Sequence, residues 1–115
     1  MFNTYVINLE NNVKKLNSIK EKYKSIGINI IRFNAIYGKD VKKEYDNYIT
    51  KTCKYTCPYS AIGCGLSHIL LSEYLYNNDK NDYALVIEDD SFPKITNLKN
   101  KIKGVINKAP KDWEY

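Results

Sequence analysis

The fold is decided by residues 4–33, TYVINLENNVKKLNSIKEKYKSIGINIIRF. Residues 4–9 are apolar and β-branched, which favours a buried strand, and residues 28–33 repeat that pattern. Between them, apolar side chains recur at three- and four-residue steps, as on one face of a helix. Gly27 follows that face, where a helix end favours a residue that adopts positive φ. Strand, helix and strand within about thirty residues predict a parallel βαβ unit.

The remainder of the chain extends this class of fold. Residues 34–58 are polar and irregular apart from a short helical stretch at residues 43–49, and a connection of this length is typical of a binding loop. Residues 83–87, YALVI, predict a third buried strand, and residues 98–106 predict an amphipathic helix after it. Residues 112–115 have the pattern of the start of a strand. The sequence therefore predicts an α/β fold, with helices flanking a mostly parallel sheet of three strands and the beginning of a fourth.

A further helix is predicted to begin at Ser60, which would cap it, and to continue to Asn77. Gly63 and Gly65 lie in its first turns, where each glycine costs about 1 kcal/mol relative to alanine. Their presence predicts that something approaches the helix backbone closely.

Composition and charge limit the classes of function. The chain has 115 residues, 43% hydrophobic and 27% charged, which is the balance of one globular domain. It carries 18 basic and 13 acidic residues, and the resulting charge of +5 is typical of proteins that bind anions. The lysines are scattered among acids, however, which favours a solvated surface over a nucleic-acid-binding stripe.

Cysteine usage and the N-terminus bear on the compartment. Cys53, Cys57 and Cys64 are odd in number and match neither a disulfide framework nor a zinc motif. We therefore expect reduced thiols, in the cytoplasm or another reducing compartment. No signal peptide is expected, because the chain enters a strand-like stretch directly. No membrane helix is expected either, because no apolar run approaches the roughly 18 residues that one needs.

The third predicted strand ends in the acidic triplet Glu88, Asp89 and Asp90. In open α/β sheets, ligands bind beyond the carboxyl ends of the strands. Alternation along the strand would put Glu88 and Asp90 on one side and Asp89 on the other. Three adjacent carboxylates repel one another, which favours a bound cation or protonation of one of them. Mg²⁺ or Mn²⁺ held by two carboxylates would keep coordination positions for a diphosphate, but a solvated loop is the simpler interpretation of an acidic run taken alone.

Four segments follow one another in a characteristic order: YVINLENNVKKL from Tyr5, FNAIYG at residues 33–38, SAIGCGLSH at residues 60–68 and YALVIEDD at residues 83–90. In order, spacing and content they resemble glycosyltransferase family 25, which includes lipopolysaccharide and collagen-type galactosyltransferases. The pair GCGLSH and VIEDD is the most specific part of the resemblance.

This resemblance implies a GT-A-type, Rossmann-like nucleotide-sugar fold that covers the chain as a single domain. It implies transfer of galactose or glucose from a UDP-sugar to the hydroxyl of an unknown glycan or protein acceptor, with inversion. Manganese or magnesium is expected at the triplet, with Glu88 and Asp90 as its ligands.

The resemblance also implies a set of donor-binding residues. Asn8 and Leu9 are expected near the nucleotide, and Lys15 lies where the family often carries an arginine. His68 occupies the histidine of the family's SH pair, and Asp89 is expected to contact the ribose or the sugar. No residue is identified as the catalytic base, and Cys64 is expected to pack rather than to act as a nucleophile.

The resemblance leaves alternatives to an active transferase open. The family continues beyond the equivalent of residue 115 into an acceptor half, so residues 1–115 are expected to form the donor-binding part alone. The chain would then be a non-catalytic nucleotide-sugar-binding remnant, or one half of a split enzyme completed by a second polypeptide. A basic nucleic-acid-binding module is the second alternative, which lacks a recognisable motif.

Overall fold

The computed structural model describes residues 2–113 and places three parallel strands of this part of the chain in one sheet. The strands are β1 (Asn3–Asn8), β2 (Ile30–Asn34) and β3 (Ala84–Glu88). Their order is β2-β1-β3, so β1 is central and all three carboxyl ends meet at the same edge. The predicted α/β fold with a parallel, Rossmann-like sheet is confirmed.

Helices connect and flank these strands. The α-helices of the described residues are α1 (Val13–Lys24), α2 (Lys51–Thr56), α3 (Tyr59–Asn78) and α4 (Leu98–Lys108). Two 3₁₀ helices, Gly38–Asp40 and Lys43–Tyr48, precede α2 in the segment between β2 and α3. None of the described helices has the length and hydropathy needed to cross a bilayer.

The end of α1 explains why β2 starts two residues later than predicted. Gly27 has φ of +78°, as expected, and its N–H donates to the Lys24 carbonyl. The Ile28 N–H donates to the Tyr23 carbonyl, which completes a Schellman motif. Ile28 is therefore part of the helix cap rather than of the strand.

The two faces of the sheet bury separate apolar clusters. The first lies against α1 and consists of Val6, Ile19, Tyr23, Ile28 and Ile87. The second lies against α3 and consists of Tyr5, Ile7 and Leu71. The sheet therefore lies between helices on both faces, as an α/β/α sandwich. Because neighbouring residues of a strand point to opposite faces, the side chains at each strand end alternate between the α1 face and the α3 face.

Two predicted boundaries are wrong. Ser60 lies inside α3. The N-cap is Pro58, two residues earlier, which has an extended backbone and makes no side-chain capping hydrogen bond. Residues 111–113 form no strand; Trp113 instead stacks on Tyr83, with ring centroids 5.3 Å apart. Residues 114–115 of the fourth predicted strand lie outside the described residues.

The expectation of three reduced thiols is also wrong, because Cys53 and Cys57 form a disulfide. They lie four residues apart around α2, a helix that was not predicted. One helical turn brings their Cα atoms to 4.7 Å, within the range that a disulfide spans. Within residues 2–113, Cys64 is the one free thiol.

The amino-terminal edge of the sheet carries an acid-sensitive contact at Asp79. Its carboxylate accepts hydrogen bonds from the Asn81 backbone N–H at 2.9 Å and from the Tyr5 hydroxyl at 2.9 Å. The bond from the Asn81 backbone is the largest of the causes that hold the Asp79 pKa below its usual value. Asp79 therefore stabilises the fold above its unfolded pKa of about 3.9, and this contribution is lost as the pH falls through the lower folded pKa.

We expect Asp79→Ala to lower the free energy of unfolding by roughly 1–2 kcal/mol near neutral pH, because it removes hydrogen bonds to a charged group. At a pH below the lowered folded pKa of Asp79 the parent also loses this contribution, so the two proteins should converge. Urea unfolding of both proteins at the two pH values measures the difference. A deficit that stays constant with pH would show that the Asp79 charge contributes nothing.

Candidate functional site

A cleft of about 400 Å³ opens at the carboxyl edge of the sheet. Its walls come from the end of β1 and the start of α1, from residues 35–39, from the first half of α3, and from the end of β3. The whole acidic triplet lines it, together with the cationic side chains Lys15 and Lys39. The cleft therefore lies where ligands bind in open α/β sheets.

The first two acids of the triplet diverge because β3 alternates. Glu88 follows Val86 on the α3 face, and Asp89 turns to the α1 face. The strand ends at Glu88, and the Ser91 N–H donates to the Glu88 carbonyl, so Asp90 belongs to a turn. The strand alternation used to pair Glu88 with Asp90 therefore does not extend to Asp90.

Asp89 is held by Asn8, whose side chain is 1% exposed. The Asn8 amide donates to Asp89 Oδ2 at 2.8 Å and to the Asn12 carbonyl at 3.1 Å. Lys15 Nζ lies 3.9 Å from Asp89 Oδ1, a weak ion pair in which the lysine side chain is 55% exposed. Asn8 therefore fixes the Asp89 carboxylate at the base of the cleft, beside the start of α1.

Sequence reasoning missed Arg32, which completes this network. Its Nε donates to Asn8 Oδ1 at 3.0 Å, and its Nη2 donates to the Asn8 carbonyl at 3.2 Å and to Asn34 Oδ1 at 3.1 Å. Arg32 thus ties the ends of β1 and β2 together and orients the Asn8 amide towards Asp89. No local pattern in the sequence indicates this role, because it depends on the register that sets Arg32 opposite Val6.

Glu88 contacts two side chains of α3. Its Oε1 lies 3.3 Å from His68 Nε2 and 3.5 Å from Cys64 Sγ. Burial, and secondly the hydrogen bond to Glu88, raise the pKa of the Cys64 thiol. A raised pKa favours the neutral thiol, which is the weaker nucleophile. Cys64 is exposed, however, so the expectation that it packs as a small apolar residue is wrong.

The wall between residues 35–39 and α3 is built on two glycines. A Cβ on Gly63 would lie 2.5 Å from the Ile36 carbonyl oxygen, and a Cβ on Gly38 would overlap the Tyr59 carbonyl. Ser67 joins the same surfaces, since its hydroxyl donates to the Gly63 carbonyl and accepts from the Ile36 N–H. The predicted close approach is confirmed at Gly63. It is wrong at Gly65, where a Cβ would meet nothing within 4 Å.

The donor-binding residues expected from sequence fall into three positions. Leu9, Lys15 and Asp89 line the cleft, and Asn8 lies directly beneath Asp89. His68 is not part of the cleft wall but contacts Glu88 at its rim. The two expected metal ligands, Glu88 and Asp90, both line the cleft with exposed carboxylates.

Comparison with known families decides what kind of protein carries this cleft. The family described as glycosyltransferase family 25 (LPS biosynthesis protein) matches residues 1–114. The chain belongs to glycosyltransferase family 25. No curated protein and no solved structure matches it. The family 25 cleft thus brings together the end of YVINL, the turn NAIYG, the helix SAIGCGLSH and the acids of VIEDD, the segments that carried the resemblance in sequence.

The carboxylates that line this family 25 cleft are suitable ligands for a hard divalent cation. Mg²⁺ and Mn²⁺ prefer oxygen ligands, and three carboxylates line the cleft. Asp89 is engaged by Asn8 and Lys15, whereas within residues 2–113 the Asp90 side chain makes neither a hydrogen bond nor an ion pair. Asp90 therefore keeps its oxygens for a ligand, and Glu88 has a second oxygen beyond the one that faces α3.

Proposed function

We propose that this family 25 glycosyltransferase moves a hexose, galactose or glucose, from a UDP-sugar to an acceptor hydroxyl with a divalent cation. The observation that supports this most is the convergence of the acidic triplet, two lysines and two helix starts on one cleft at the carboxyl edge of the sheet. A nucleoside diphosphate with its cation needs that mixture of anionic and cationic groups.

Glu88 and Asp90 would hold the cation, Mn²⁺ or Mg²⁺. When bound, it would neutralise the charge that develops on the departing diphosphate. Glu88 is anchored by its contacts with α3, while Asp90 stands on the turn that follows β3. The pair therefore combines one fixed carboxylate with one that adjusts to the ligand.

The diphosphate would lie near the start of α1 and the start of α3. Asn12, the N-cap of α1, and Tyr59 and Ser60, at the start of α3, all line the cleft. Helix starts present unpaired N–H groups and a partial positive charge to anions. Lys15 and Lys39 would add full charges, although lysine lacks the bidentate fork of arginine.

The nucleoside and the sugar would be recognised by the remaining walls. Asp89, fixed by the buried Asn8, would accept hydrogen bonds from ribose or sugar hydroxyls. Tyr37 lines the cleft and is 49% exposed, so its ring offers a face on which uracil would stack. Leu9 would cover the apolar side of the ligand.

An assay of UDP release tests the transferase function. The full chain would be incubated with Mn²⁺ and either UDP-galactose or UDP-glucose, with and without lipopolysaccharide oligosaccharide as acceptor, and with GDP-mannose as the control donor. We expect UDP release from one of the two UDP-sugars, stimulated by the acceptor and abolished by a chelator. Release from neither, in a protein that still binds UDP, would reject transfer and identify a donor-binding remnant.

A further inference from the structure

We propose that Cys64, His68 and Glu88 form a binding site for a thiophilic divalent cation of the zinc type. This site is distinct in chemistry from the hard-cation position proposed at Glu88 and Asp90. It does not rest on the proposed function, because it requires neither a nucleotide nor a sugar.

The two distances that join Glu88 to the other donor atoms match the edges of a zinc coordination tetrahedron. Glu88 Oε1 lies 3.5 Å from Cys64 Sγ and 3.3 Å from His68 Nε2, and all three atoms lie within 4.8 Å of one another. Zinc–ligand bonds of about 2.3 Å to sulfur and about 2.0–2.2 Å to nitrogen or oxygen give tetrahedral edges of about 3.6 Å and about 3.4 Å. The Glu88 edges therefore need almost no adjustment. Among the described residues, this is the one group of three such donors.

The fold brings these three ligand atoms together before any metal binds. Cys64 and His68 lie one helical turn apart, so α3 presents both side chains on the same face. Glu88 approaches from the end of β3, and the packing of Leu71 against Ile7 fixes α3 on that face of the sheet. Cys64 and Glu88 are exposed and His68 is partly buried, so an ion reaches the site directly from solvent.

The ligand types select the metal. A thiolate and an imidazole suit Zn²⁺ and Co²⁺, whereas Mg²⁺ and Mn²⁺ prefer oxygen donors. Three protein ligands keep a fourth tetrahedral position for water or another small ligand. Binding would replace the thiol proton of Cys64 with the metal and release that proton to solvent.

Titration of the full chain with Co²⁺ tests the site, because cobalt bound to a thiolate gives a charge-transfer absorption in the near ultraviolet. We expect this absorption to saturate at an equimolar amount of Co²⁺, without UDP, and Zn²⁺ to abolish it by displacement. Cys64→Ser should remove the absorption. His68→Gln should weaken Co²⁺ binding at least about tenfold while keeping the thiolate signal.

Matched controls separate this site from other thiols and from the proposed hard-cation position. The double variant Cys53→Ser, Cys57→Ser lacks the disulfide sulfurs and should keep the absorption. Asp90→Asn should also keep it, because Asp90 is not one of the three donors. Absence of the absorption in the parent, or its persistence in Cys64→Ser, would overturn the proposal. Either result would leave UDP binding with Mn²⁺ untouched.

Discussion

Gly63→Ala is expected to lower the free energy of unfolding by roughly 3 kcal/mol, the upper range for overpacking a well-packed contact. The new methyl group would lie 2.5 Å from the Ile36 carbonyl oxygen and 2.8 Å from the Gly38 nitrogen. Both are backbone atoms, so no side chain can rotate away to make room. The loop must move off α3, which also displaces the cleft wall formed by residues 35–39. Chemical denaturation followed by circular dichroism measures the loss.

Gly65→Ala is the matched control, because it lies in the same helix two residues later. A Cβ there meets nothing within 4 Å, so only the helix preference of alanine remains. We expect Gly65→Ala to raise the free energy of unfolding by about 0.5–1 kcal/mol. If both substitutions shift stability in the same direction, the close approach of residues 36–38 to α3 is not present in solution.

Asn8→Ala is expected to destabilise the fold by roughly 3 kcal/mol, because it removes buried hydrogen bonds to two charged groups at once. The Asn8 side chain accepts from Arg32 and donates to Asp89 and to the Asn12 carbonyl. Alanine offers none of these bonds and is too small to fill the space. The Asp89 carboxylate would also lose the contact that fixes it in the cleft. Urea unfolding measures the stability.

Asn34→Ala serves as the control for Asn8→Ala. Asn34 is exposed and accepts one bond from the same guanidinium, from Arg32 Nη2. We expect it to cost less than about 1 kcal/mol. A similar cost for both asparagines would mean that Asn8 does not organise the network.

The elements that bury continuous apolar faces could be predicted from sequence. The βαβ unit was predicted because Ile19 and Tyr23 recur at helical spacing between two apolar strands and because Gly27 marks the helix end. The acidic triplet could be placed at a ligand-binding edge, because parallel strands put all their carboxyl ends on one side. These predictions depend on the periodicity of apolar residues, which can be recognised within short stretches of sequence.

The polar network of the site could not be predicted in the same way. Arg32 interrupts an apolar run in the sequence. Its hydrogen bonds to Asn8 depend on the strand register, which sets Arg32 opposite Val6, two residues before Asn8. That register joins residues more than twenty positions apart in sequence. Glu88 faces Cys64 and His68 only because β3 ends there and α3 packs on that face.

The middle segment was predicted least well, because it contains little apolar periodicity. Helix α2 has six residues and no buried side chain, so no hydrophobic face identified it. The helical turn brings Cys53 and Cys57 together. Because the helix was not predicted, their disulfide could not be predicted either.

Calorimetric titration with UDP in the presence of Mn²⁺, on the parent, on Asp90→Ala and on Asp82→Ala, tests the central claim most directly. Asp82 is an exposed acid just before β3 and does not line the cleft, so it controls for the loss of a negative charge. The parent and Asp82→Ala should bind UDP alike and only with Mn²⁺, while Asp90→Ala should bind at least about tenfold more weakly, a loss of about 1.4 kcal/mol. Equal affinity of all three proteins for UDP would contradict a cation held at the end of β3.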